Sequence, residues 1–322
     1  MAMSLKEFKG KFREKLLEIH WKQWCTLGVA SHIPPEKYWI IDLEALSVST
    51  LVLGLQDKRL LAGCIEWLIK NREWVNSSRF KRISKIFMRP FPASNEPLIT
   101  QGVLNMATDT IKKFKPVSIK YRDSNVSEEM MLRDYKKVFD AFRIRDIVKQ
   151  PEILKSISLL QLSLRGYFGV GTRAEIFLYL LGENGGNSLS ISREVYCDQK
   201  NIYRILEKWT ETGLITKINR NYSLREKEKW LGIWRLKKKY GYLNWVKTFM
   251  LLDQLAKAIS TPPWSEETYP LSSLFRDLFK DVLAIGQSLN IQVPEPASYE
   301  GALYFEPFAV TILKILERLR EI

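Results

Sequence analysis

Histidine and cysteine are scarce: the 322 residues hold 2 histidines, His20 and His32, and 3 cysteines, Cys25, Cys64 and Cys197. Three scattered thiols do not make a disulfide framework, and an odd count suits a reducing compartment. There is no Cys-x-x-Cys pair, and His20 and Cys25 are spaced so that they do not face one another on a helix. Buried thiols, a surface histidine, no metal site and no cofactor are therefore expected. The sequence also lacks a long apolar run. Its longest, LSVSTLVLGL at 46–55, is far short of the ~20 residues that a spanning helix needs, and Asp42, Glu44 and Asp57 flank it. The N-terminal MAMSLKEFKGKFREKLLEIH has no apolar centre of the secretory kind. No membrane partner and a cytoplasmic location are the expectations. Internal repeats and low-complexity tracts are missing too.

Positive charge, by contrast, is abundant. The net charge is +14, and it is unevenly spread: residues 201–250 hold 12 Lys or Arg against 4 acids, while 251–322 hold 6 against 10. Two further clusters, RFKRISKIFMR at 79–89 and IKKFKPVSIKYR at 111–122, contain no acid. Such fields attract polyanions, nucleic acid first and anionic membrane surfaces second. The plainer reading of any one cluster is a solvated face.

Apolar spacing predicts a helix from Leu5 to Trp24, helices over 42–55 and 58–70, and another from about Ser77 to Met88, with a short strand at 37–41. Prolines 90, 92 and 97 end that run. The expected organisation is an N-terminal helical domain at 1–98, connecting helices at 99–165, a central unit at 166–228 and a C-terminal helical region at 229–322. In the last of these, 271–289 and 310–322 read as helices. Earlier in that region, the aromatic cluster of Trp230, Trp234, Tyr240, Tyr242 and Trp245 around RLKKKYG offers a base-stacking surface, with Lys237 to Lys239 as phosphate clamps, or else core packing.

The central unit opens on GYFGVGTRAEIFLYLL, where Gly169, Gly171 and Ala174 have the G-x-G-x-x-A spacing of a dinucleotide loop. That reading requires a following parallel strand ending in an acid, and none is present. Thr172 and Glu175 have instead the spacing of a capping box that starts a helix. Downstream, Ser190 is positioned to cap a short helix with Ile191 and Val195 inward, and Asp198 to cap a second, whose Ile202, Ile205, Leu206 and Trp209 form a full apolar stripe. Gly213 stops it, and LITKIN and YSLRE alternate as two strands around Asn219, Arg220 and Asn221.

Helix, short helix, helix and hairpin, with the run ILEKWTETGLITK, resemble the winged helix-turn-helix domain of repressors such as the MarR, ArsR and GntR families, over about 172–224. The fold class expected is thus mainly α, a central winged helix-turn-helix of three helices plus a hairpin wing, flanked by N- and C-terminal helical blocks. The resemblance implies a non-enzymatic regulator of transcription that binds double-stranded DNA as a homodimer, under a small-molecule or protein effector. The acidic, Leu-rich C-terminal helices are the candidate dimer surface. With the stripe packed inward, the opposite face of the second helix presents Lys200, Arg204 and Glu207, flanked by Gln199, Asn201, Tyr203 and Lys208. A major groove admits one helix, and these side-chain types pair with purine edges there. Gln199, Lys200, Tyr203 and Arg204 are expected at bases or adjacent phosphates, Lys217 and Arg220 at a neighbouring groove or backbone. Glu207 accepts from cytosine or repels a wrong approach. The alternative reading is a winged helix that docks a protein, as one partner in a two-protein system. A nucleotide enzyme built on the glycine pair has no Ser/His/Asp, paired-carboxylate or Walker-type constellation behind it.

Overall fold

A computed structural model of the chain describes residues 3–90, 97–114, 129–153, 156–183, 185–234 and 242–321. The stretch 235–241, with Lys237 to Lys239 and Tyr240, most of the basic cluster at 111–122, Pro92 and Asn184 lie outside the described residues. Within them the fold is mainly α, with one two-stranded sheet. The helices are α1 (Leu5–Thr26), α2 (Leu43–Leu53), α3 (Lys58–Lys70), α4 (Ser77–Phe87), α5 (Gln101–Phe114), α6 (Glu129–Asp140), α7 (Leu160–Phe168), α8 (Thr172–Gly182), α9 (Ser188–Val195) and α10 (Gln199–Glu211). Strands β1 (Ile215–Ile218) and β2 (Asn221–Leu224) follow, then α11 (Lys227–Ile233), α12 (Trp245–Ala258), α13 (Thr268–Asp277), α14 (Phe279–Leu289) and α15 (Phe305–Glu321). No helix among the described residues is long and apolar enough to cross a membrane.

Polar caps fix the starts of the first helices. Ser4, Asp42, Asp57 and Asn76 each accept a backbone N–H from the first turn of α1 to α4, which satisfies a donor that the helix itself cannot. The strand expected at 37–41 does not form. The buried Glu36 carboxylate takes the amides of Lys37, Tyr38 and Trp39 at 2.9, 2.9 and 3.1 Å, so those donors turn towards one oxygen instead of a ladder. The single helix expected over 271–289 is two, because Leu278 (φ −84°, ψ −4°) puts a step between α13 and α14 while staying buried.

The two ends of the chain share one core. α1 and α15 run side by side in parallel: the Met3 amide donates to Glu306, Lys15 pairs with Glu317, and Arg320 with Glu18 at 3.0 Å. Phe8 meets Phe275 and Phe305 edge-on at 6.2 and 5.8 Å. The α15 stripe of Ile312, Leu316 and Leu319 is thereby buried inside the chain. It is not left over as a dimer surface, as the sequence suggested, because α1 already covers it. A second, smaller cluster joins α7 to α10 and the hairpin, with Phe177, Leu180, Ile191, Ile202, Leu206 and Trp209 at its centre.

A buried ionic group stands where elements of the two clusters meet. Arg165 of α7 donates to both Glu44 oxygens at 2.8 and 2.6 Å and to Glu175 of α8 at 2.5 Å. Arg79 of α4 reaches Asp42 and Glu44 at 2.6 and 2.7 Å, and its Nε donates to the Val195 carbonyl at the end of α9 at 2.8 Å. Burial works against both guanidinium charges, but the carboxylates outweigh it and hold them firmly protonated. For Asp42, burial favours the neutral acid; the Arg79 charge and hydrogen bonds exceed it and keep the carboxyl below its ordinary range.

Candidate functional site

The glycine pair joins two helices. α7 ends at Gly169, whose φ of 79° and ψ of 162° suit glycine alone, while Gly171 is extended backbone open to any residue. A dinucleotide loop needs a strand where α7 stands. α8 begins at Thr172 as the spacing predicts, but the capping box does not form: Gly171 is the N-cap and no side chain caps the helix. Glu175 turns inward to Arg165 and to the Gln161 amide, 3.0 Å away, since a buried carboxylate gains more from a cation than from a backbone amide. The Thr172 hydroxyl instead accepts from the Asn201 amide at 3.0 Å. α9 is capped by Asn187 rather than Ser190: its Oδ1 takes the amides of Leu189 and Ser190 at 3.0 and 2.9 Å.

α10 is built as its sequence demands. Asp198 accepts from the Asn201 amide at 3.0 Å, and Ile202, Leu206 and Trp209 are buried while Ile205 is only half-buried. Full burial of an Ile or Leu contributes about 1.5–3 kcal/mol, so this stripe fixes the helix rotation. Trp209 lies 6.0 Å from Phe168 and 6.1 Å from Phe177. Turned to solvent are Gln199, Lys200, Tyr203, Arg204 and Lys208. Asn201 is exposed as well, but its amide is committed to Thr172, which makes it a tie between α10 and α8 rather than a free reader. Lys208 pairs with Glu211 at 3.2 Å on the surface.

After α10, Gly213 (φ 73°) turns the chain into the hairpin, where Lys217 pairs with Tyr222 and Ile218 with Asn221. Asn219 and Arg220 both have positive φ, 47° and 69°, the two-residue turn whose twist matches antiparallel strands. Glu207, expected to face a base or an approaching partner, has partners within the fold. Its Oε1 accepts from Lys217 Nζ at 2.7 Å and from the Tyr222 hydroxyl at 2.5 Å, and the Lys217 hydrogen bond leads in holding its carboxyl below the usual range. The carboxylate therefore ties β1 and β2 to α10. Lys217, expected to reach outward, is engaged at home, whereas Arg220 at the turn is exposed.

Two features escaped the sequence reading. The first is the docking of α4 on the α9–α10 turn, through Arg79 to Val195 and Arg82 to Asp198 at 3.8 Å; the acid-free run at 79–89 was its only signal. The second is a buried line of His20, Ser49 and Asp253, all 0% exposed. His20 Nδ1 faces the Leu16 carbonyl at 2.9 Å and must donate to it. Burial lowers the imidazole to about 4, so it is neutral and its Nε2 accepts from the Ser49 hydroxyl at 2.8 Å. With that hydrogen committed, the proton between Ser49 Oγ and Asp253 Oδ1, 3.0 Å apart, belongs to Asp253. Burial likewise drives this carboxyl well above its ordinary range. Serine stands between histidine and aspartate, and no member meets solvent, which is not the nucleophile–base–orienter order of a triad. His20 is thus a core residue, and His32 is the exposed histidine.

The aromatic cluster after the hairpin packs on α8: Trp230 and Trp234 lie 5.2 and 5.7 Å from Phe177, and Trp245 is buried on Phe249 at 4.8 Å. Trp245 is thus a core residue, while Trp230 and Trp234 are half-buried against the smaller cluster. Elsewhere, an apolar cavity of about 300 Å³ opens among α2 to α5, lined by Leu51, Leu68, Val75, Phe80, Leu104 and Ile111. No family model matches the chain, and no curated protein or solved structure matches it either.

Proposed function

We propose that the chain binds double-stranded DNA through a winged helix-turn-helix formed by α8 to α10 and the hairpin, and that it regulates transcription. The observation that carries this reading is the solvent-facing row of Lys200, Tyr203 and Arg204 on a helix whose opposite side is locked by Ile202, Leu206 and Trp209. Arg and Lys are the side chains that pair with guanine edges, and a free helical face of this length fits a major groove. Gln199 joins them at the helix start; Arg220 and Lys208 supply backbone contacts. A two-fold operator would then place one α10 from each copy in successive grooves, and an effector of the kind such regulators answer to has a seat in the apolar cavity beside α4.

Selection of bound fragments from a random duplex pool tests the proposal. With about six phosphate contacts, raising salt from ~50 to ~200 mM weakens binding by ~10³ or more. Arg204→Ala abolishes sequence preference, at ~1–3 kcal/mol for a lost bidentate base contact, and Arg220→Ala lowers affinity with the preference kept. A flat salt response, or equal effects from both substitutions, contradicts it. The competing reading, a winged helix that docks a protein, draws on Ile218, 68% exposed on the hairpin; absence of any gel retardation at low salt favours it.

A further inference from the structure

We infer that α4 is a second duplex-contacting element, which clamps the phosphate backbone beside the start of α10 and extends the site beyond the winged helix. The inference rests on the DNA reading above and adds a surface that this reading does not contain.

Three observations converge on it. The first is the helix itself. Arg82 and Lys85 are three residues apart on α4 and exposed, with Arg89 exposed just past the end of the helix, while Arg79, Ile83 and Phe87 face inward. No acid occurs between 79 and 89 to neutralise that row. The second is where the helix is held. Arg79 Nε donates to the Val195 carbonyl at 2.8 Å, and the same guanidinium is anchored by Asp42 and Glu44, so α4 is fixed against the α9–α10 turn rather than hung from a loop. The third is the register with α10. Arg82 stands 3.8 Å from Asp198, the residue that caps α10. At the other end Lys217 and the hairpin meet α10 at Glu207.

The cationic elements therefore bracket the helix. From Asp198 to Glu207 is about 14 Å at ~1.5 Å per residue, so α4 and the hairpin stand at the two ends of the exposed α10 face. With α10 lying lengthwise in the groove, α4 and the hairpin meet the backbone near its two ends. Asp198 partly offsets Arg82, which leaves Lys85, one turn on along α4, and Arg89, just beyond its end, to extend the track. A phosphodiester backbone is the partner that fits, because a row of exposed cations fixes register and carries no base code.

The test compares the full chain with Arg82→Ala/Lys85→Ala/Arg89→Ala, all surface positions, on a duplex the unaltered chain has selected from a random pool. The expected result is a slope of log K against log [salt] shallower by roughly two to three, at ~0.9 per phosphate contact. Hydroxyl-radical protection shortens at one end only, and base preference is unchanged. A control triple on the C-terminal helices, Lys280→Ala/Lys314→Ala/Arg318→Ala, removes the same charge and leaves slope and footprint as they were. Unchanged slope and footprint in the α4 variant overturn the inference, and so does an equal drop in the control, which makes the effect one of net charge. Failure of the unaltered chain to retain any duplex overturns the DNA reading itself; retention with an indifferent α4 leaves that reading standing and removes only this one.

Discussion

Asp253→Asn changes the pH dependence of stability, and the sign of the change follows from the proton positions in the buried line of His20, Ser49 and Asp253. In the unfolded chain the carboxyl ionises near ~3.9, whereas in the fold burial holds it neutral far above that. Above pH ~4 the native state therefore keeps a proton that the unfolded state has released, and stability falls as pH rises, by up to ~1.4 kcal/mol per pH unit, until Asp253 ionises in the fold. His20 acts in the opposite sense. Its imidazole titrates near ~6.5 when unfolded and at about 4 when buried, so below ~6.5 the unfolded chain takes up a proton that the native state refuses. Between about 4 and 6.5 the two slopes oppose one another for as long as Asp253 keeps its proton in the fold, and His20 drops out above ~6.5. Asparagine has the same shape and its amide donates to Ser49 Oγ in place of the carboxyl O–H, so the variant folds but loses the Asp253 slope. Relative to wild type it gains up to ~1.4 kcal/mol for each pH unit over which Asp253 stays protonated in the fold, and it falls on acidification from ~6.5 to ~4. Urea unfolding across this range, followed by midpoint and m value, measures the difference. Parallel curves for the two proteins refute the proton assignment.

Two further predictions concern the ionic ties. Arg165→Met strips Glu44 and Glu175 of their shared cation in a site with no exposure and destabilises the fold by roughly 3–5 kcal/mol, as loss of one partner from a buried pair does; a loss under ~1 kcal/mol in urea unfolding contradicts the assigned role. Glu207→Gln keeps an acceptor for the Tyr222 hydroxyl but frees Lys217 from its ion pair, so duplex affinity rises and the salt slope steepens by about one phosphate contact; unchanged or weaker binding in a salt titration counts against a DNA-facing hairpin.

What could be read from the sequence and what could not divides by the range of the interaction. α10 was legible in its Asp198 cap, its stop at Gly213 and its stripe of Ile202, Leu206 and Trp209, with Ile205 of that stripe only half-buried, because each signal lies within a few residues of the structure it dictates. The same logic misassigned Glu175, whose local spacing fits a cap but whose partners are Arg165 and, through it, Glu44. A spacing rule prices the nearby amide and is blind to a cation brought from another helix. Glu207 failed for a like reason: its acceptor role depends on hairpin residues whose register only the folded turn sets. Ser49 and Asp253 are farther apart still, and nothing along the chain hints that α2 and α12 meet. The basic run at 79–89 shows the other side of this limit. Its charge was plain, its place beside the start of α10 was not, and that place is what turns a solvated face into a surface with a direction. If duplex binding follows the row from α4 through α10 to the hairpin, its salt slope is set by three segments far apart in sequence, which the ionic group around Arg79 holds in one register.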